Sequence, residues 1–196
     1  LVLDPLLPPE ALVPVLAFAM GYRSIVADRE RGELDTLRTY PLGRGRYVAG
    51  VYLGRAVPVL AVVVLGLAGS GATVALTGQE TASIIATHAT ADSPLLYLRF
   101  VVLTALFALV TLGVALLVSA AARSSRAALA LAAVAVLALV VGIDSGLAGA
   151  LTGGLVSADG VTWLLAASPN SAFRALVFEF CVAPIGASVP AGPAVL

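Results

Sequence analysis

The side chains able to do chemistry are few, and most of them sit together. The stretch RERGELDTLRTYPLGRGRYVAGVYLGR, Arg29–Arg55, holds six of the eleven arginines and three of the eleven acids of a 196-residue chain. What it can do is bind. After Gly32 a short helix places Leu34 and Leu37 three apart on one face, with Glu33 and Asp35 away from them. Pro41 ends that helix, because a proline pushes the preceding Tyr40 out of the helical region. Two leucines rimmed by charge make a docking element for a partner outside the membrane. The same residues also fit a solvated loop beside a membrane, and pattern alone leaves both readings open.

Other chemistry is excluded by composition. Without a lysine the sequence has no GxxxxGK[ST] phosphate loop and no Schiff-base lysine. One histidine (His88) and one cysteine (Cys181) are too few for a zinc site, a redox CxxC pair or an internal disulfide. His88 reads as a solvated loop residue and Cys181 as a small apolar one. Formal net charge is zero, so no basic field points to nucleic acid. Asp144 is the acid that borders an apolar run. An acid at mid-membrane costs ~2.5–3.5 kcal/mol on insertion scales and marks function by default. The alternative places it at the outer interface, where the preceding run ends.

The elements that must position these residues are membrane spans. The chain is 60% hydrophobic and 11% charged, with a mean hydropathy of +1.05, whereas a soluble domain carries about a quarter charged residues. Crossing a hydrocarbon core takes about 20 apolar residues. Four runs are candidates: 11–27, 56–77, 100–122 and 127–143. The first contains Arg23, which can snorkel to the interface. The second contains Pro58, read as lying near its start, where a helix tolerates proline best. The fold expected is an all-α integral membrane bundle, one domain over 1–196. The missing initiator Met and the apolar tail suggest an internal piece of a longer chain.

Orientation follows from the loops. The segment 23–55 and the turn flanked by Arg123 and Arg126 are arginine-rich, while 78–94 has no arginine and the stretch after Asp144 has only Arg174. The positive-inside rule puts the arginine-rich side in the cytoplasm. Beyond 143, a glycine-rich stretch leads to SPNSAFRALVFEFCVAPIG, which reads as an outer amphipathic or re-entrant helix. Asn170 or Ser171 would cap it, with Ala172, Leu176 and Phe180 on one face. Tyr97 and Trp163 suit an outer aromatic belt. Arg99 reads as an interface anchor or a partner for Asp144 or Glu179. Gly50 and Gly54 are spaced for close helix approach, at a seam between copies among other places.

The opening stretch resembles the cytoplasmic loop of type-2 ATP-binding-cassette (ABC) permeases. The resemblance rests on Glu30, Gly32, Leu34, Leu37, Pro41, Leu42, Arg44, Gly50, Tyr52, Leu53 and Gly54. Glu33 stands where threonine is common, and Val51 where lysine is common. Its flavour is nearest to permeases like the one serving copper-site maturation of nitrous oxide reductase. The resemblance implies a six-span subunit, of which this piece would hold four and lack the first and the last. It also implies that the loop docks a separate ATPase through Glu30, Gly32, Glu33, Leu34, Leu37, Arg38, Pro41 and Arg44. ATP and Mg would then belong to that partner, with no cofactor, metal or catalytic site in this chain. A second permease subunit and membrane lipid complete the expected partners, in the plasma membrane. The apolar spans suit a lipid-like, peptide or drug-like cargo better than an ion. Two other readings stay open at this point: an ion- or proton-coupled carrier using Asp144, and a membrane scaffold that recruits an ATPase without transport.

Overall fold

The computed structural model describes residues 7–34, 43–77, 94–142 and 168–182, and within them every regular element is helical. In chain order they are α1 (Leu7–Gly21), α2 (Ser24–Glu30), α3 (Arg44–Thr77), α4 (Pro94–Ala121), α5 (Ser125–Leu137) and α6 (Pro169–Val177). Helices α5 and α6 each run on as a π-helical turn, Ala138–Gly142 and Phe178–Val182.

Among the described residues, three stretches are long and apolar enough to cross a membrane: Pro9–Glu30, Arg44–Thr73 and Pro94–Ala121. The apolar helix Ser125–Val140 is shorter; it covers most of the fourth expected span. The lead-in RYVAGVYLGRA is helical and continuous with α3, which makes Pro58 an interior proline and not one near a helix start. It frees the Gly54 carbonyl from its i+4 partner, and the long helix absorbs that loss.

Helix α4 is the hub, and all the other helices pack on it. The core gathers Val13 and Ala17 of α1, Ala56, Val59 and Val63 of α3, Phe107, Ala108 and Leu112 of α4, and Phe173 and Val177 of α6. Between helices in lipid there is little hydrophobic gain, so close fit decides the packing. Gly21 shows how close: a Cβ there would lie 2.8 Å from the Ala115 Cβ. Gly71 is a second such place, where a Cβ would lie 2.8 Å from the Tyr97 ring. Tyr97 therefore lies across α3, its hydroxyl bonded to the Leu67 carbonyl and within 3.1 Å of Ser70 Oγ. Only 17% of the apolar window of α3 is buried, against 56% for Pro9–Glu30, so α3 turns most of its surface outward.

Helix α6 departs from its expected register. Its cap is Ser168, which accepts from the Ser171 amide at 3.5 Å, with Pro169 at the first helical position. The buried face is Asn170, Phe173 and Val177, whereas Leu176 and Phe180 are exposed. Phe173 stacks on Phe107 with ring centroids 4.7 Å apart. In a membrane the apolar side of a helix can face lipid, so hydrophobic periodicity does not say which side faces protein.

Candidate docking site at the arginine-rich end

A helix as short as α2, seven residues, does not hold itself in water. It is held from outside. Its own cap position, Arg23, makes no side-chain cap bond. Instead Ser119 of α4 accepts from the Ile25 amide at 3.0 Å and the Val26 amide at 3.2 Å. These are the second and third amides of α2, the donors that an N-cap side chain normally serves. Ser119 is fully buried.

The far end of α2 is clipped as well. Arg29 donates to the Ala122 carbonyl and the Ala120 carbonyl, each at 3.1 Å, so its planar fork closes on the last carbonyls of α4. The next residue does the reverse. One oxygen of Glu30 accepts from the Ser125 amide at 2.8 Å, and the other accepts from the Ser125 hydroxyl. Cation meets the negative end of α4, and anion meets the positive end of α5. Such contacts at exposed helix ends are favourable but weakened by solvent and salt. Ser124 caps α5 from within, accepting from the Ala127 amide at 3.2 Å. Because Arg29 and Glu30 reach this turn, the two arginine-rich loops lie at the same end of the molecule.

Gly32 has φ +74° with nothing within 4 Å of a would-be Cβ. It is there for its backbone, stopping α2 in the left-handed conformation that glycine adopts without strain. Arg31 pairs with Glu33 at 3.4 Å, both well exposed. Across the loop, Tyr47 in the first turn of α3 donates to Asp28 at 2.6 Å. The two flanks of segment 35–42 are thus tied together.

Of the residues expected to dock a partner, Glu30 is occupied with the α4–α5 turn, Gly32 sets the backbone, Glu33 is exposed and Leu34 is half-buried. Arg44 is exposed at the start of α3. Leu37, Arg38 and Pro41 lie outside the described residues, as do Asp144, His88 and Trp163. Sequence reasoning missed Ser119 and the Asp28–Tyr47 tie. The signal for the first was a serine in an otherwise apolar run, one turn before a charged loop.

The opposite end carries its own polar contacts. Arg174 of α6 reaches Glu10 of α1 with Nε–Oε1 at 2.9 Å and Nη2–Oε2 at 3.0 Å, a bidentate pair with the acid buried. Arg99 donates to the Phe180 carbonyl at 3.3 Å. The buried hydroxyls of Thr104 and Thr111 bond back to the Phe100 and Phe107 carbonyls at 2.8 Å, so α4 satisfies them within itself. The half-buried Cys181 thiol points to the Leu96 carbonyl at 3.8 Å. Among the described residues no cluster of three His, Cys, Asp or Glu could hold a metal. What this arrangement offers is mechanical: a loop whose stems are bolted to three helices.

Comparison with known sequences places that loop in context. The family model described as ABC-2 family transporter protein matches residues 10–181. A stretch of 75 residues is 35% identical to the "Probable ABC transporter permease protein NosY" of Pseudomonas aeruginosa, covering 38% of this chain and 27% of that protein. A stretch of 65 residues is 35% identical to the protein of the same name from Stutzerimonas stutzeri, covering 33% and 24% respectively. Each match therefore spans about a quarter of the relative's length.

Proposed function

Because the chain belongs to the ABC-2 family of transporter proteins, we propose that it is the permease subunit of a complex that moves a substrate across the plasma membrane with ATP hydrolysed by a separate subunit. The ATPase docks on the loop spanning 29–46, with Leu34 and Leu37 entering an apolar groove and Arg38 and Arg44 at its rim. ATP and Mg are held by that partner, and this chain supplies the pathway. A second permease subunit covers the outward face of α3, where Leu53, Val57 and Leu65 are exposed and Gly50 and Gly54 leave room for close approach.

One observation supports this reading above the rest: the stem of the loop is fastened to α4 and α5, by Ser119, Arg29 and Glu30. A solvated turn has no need of such fastening. A force applied to the loop by ATPase closure reaches the Ala122–Ser125 turn through α2 as through a rigid link. For ATP to bias the spans, the loop must bind the ATPase differently in its two states, since equal affinity shifts nothing.

Leu37→Asp in the full-length protein tests the proposal. A carboxylate placed in an apolar groove is expected to abolish co-purification with the ATPase while membrane insertion stays normal. Stoichiometric co-purification of the ATPase with the variant would remove the docking role.

A further inference from the structure

Between α1, α2 and α3, at the arginine-rich end, lies an open cleft of about 440 Å³. Arg23, Arg31 and Arg55 line it together with Asp28, while Met20 and Tyr22 form part of its wall. Three cations face one anion. Asp28 accepts the Tyr47 hydroxyl at 2.6 Å, and Arg31 leans on Glu33 at 3.4 Å. Arg23 and Arg55 form no ion pair or hydrogen bond with any described residue, and both are exposed. Arg23, at the break between α1 and α2, and Arg55, on α3, thus line one space with no hydrogen-bond acceptor of their own, Glu30 acting on Arg23 only at a distance.

Their level in the membrane is set by the chain. Arg55 directly precedes the apolar run that begins at Ala56, and Arg23 occupies the break between α1 and α2. The cleft therefore opens where hydrocarbon gives way to headgroups, with Ala19, Met20 and Tyr22 as its less polar wall and the arginines around them. Basic pockets between helices on the cytoplasmic side hold phospholipid headgroups by this chemistry, and the guanidinium fork matches a phosphate bidentately.

The geometry points to a phosphate-binding site in this cleft, held by Arg23 and Arg55 with Arg31 at the rim, whose occupant is the headgroup of an anionic phospholipid. It fixes a lipid beside the stem of the loop, against the helix that the docking loop feeds into.

The test uses delipidated full-length permease in detergent, titrated separately with phosphatidylglycerol, phosphatidylcholine and inorganic phosphate, with bound species counted by native mass spectrometry. Phosphatidylglycerol should bind in preference to phosphatidylcholine. Arg23→Gln with Arg55→Gln should weaken it by about tenfold or more, since two charge-assisted contacts are lost. Arg123→Gln with Arg126→Gln removes the same charge from the same end but outside the cleft, and should weaken it by less than about twofold. Should the glutamine pair fail to insert, Arg23→Lys with Arg55→Lys keeps the charge and should still lose about threefold, through the lost bidentate fork. Inorganic phosphate that saturates the wild type and blocks the lipid would keep the site and make its natural occupant a free anion. Equal losses in the two glutamine pairs, or no preference over phosphatidylcholine, would overturn the proposal. Leu37→Asp should leave lipid binding unchanged, so a failure of the docking reading is distinguishable from a failure of this one.

Discussion

Replacing Ser119 by alanine removes one oxygen from α4 and should loosen a helix 93 residues away in sequence. That oxygen serves the Ile25 and Val26 amides at 3.0 and 3.2 Å, and the cap position of α2 itself, Arg23, makes no side-chain cap bond. A lost N-cap oxygen costs about 0.5–2 kcal/mol, and a buried donor left without a partner costs about 1–3 kcal/mol. Water cannot reach these amides easily, because Val26 is fully buried and Ile25 is 7% exposed. The two ranges together give about 1–3 kcal/mol, which is a roughly 5- to 150-fold rise in local opening. Hydrogen exchange on the full-length permease reads this directly. Amides of Ile25 and Val26 should exchange faster by that factor, while those in the middle of α4 keep their protection. Ser24→Ala is the comparison, because that hydroxyl donates to the Met20 carbonyl at 3.2 Å and caps nothing; α2 should barely respond. Unchanged exchange at Ile25 and Val26 in Ser119→Ala would refute the capping argument. Under the proposed function, the same variant should lower transport per ATP hydrolysed more than it lowers ATPase binding, because the link is softened and the docking surface is intact.

Tyr47→Phe removes the donor to Asp28 and should cost about 1.5 kcal/mol, read as faster exchange in the first turn of α3 with α4 unaffected. Glu10→Gln breaks the bidentate pair with Arg174, whose side chain is 36% exposed against 6% for the acid. The half-exposed arginine limits the penalty to about 1–3 kcal/mol of thermal stability, and the loss should be smaller in an Arg174→Gln background, as a double-mutant cycle would show. Asp144→Asn should leave transport nearly intact if that acid sits at the outer interface; loss of transport with a change in its pH dependence would instead favour a carried proton.

The broad architecture was legible because lipid imposes it. Long uncharged runs such as Phe100–Ala122 have little choice but to be helices, and the charged stretch between the first two runs marks their common end. The continuity of Arg44–Thr77 could be read from its lead-in; the consequence for Pro58 could not, since a span counted from its apolar residues begins too late. The pattern failed most plainly at α6. Ala172, Leu176 and Phe180 form a good apolar stripe, yet Asn170, Phe173 and Val177 are the ones against protein. A polar residue in a membrane helix is drawn inward, so Asn170 was the better guide to the buried face. At the candidate site the arginine-rich stretch itself was visible in the sequence, through its charge. Its fastening was not. Ser119 acts on Ile25 and Arg174 on Glu10 across 94 and 164 residues, and no local pattern carries such a separation.

The capping of α2 by Ser119 also sets an order in time. Residues 24–30 leave the ribosome well before position 119 does. At about 5–20 residues per second, the 93 residues between Val26 and Ser119 take roughly 5–20 s to make. During that interval α2 has neither its cap nor the turn at Ala122–Ser125 that Arg29 and Glu30 grip. The nascent loop must therefore wait, unfastened, until two further spans have been threaded into the bilayer. Only then can α2 close, and under the proposed function an ATPase that needs a fixed loop can bind only a permease whose synthesis has passed that point.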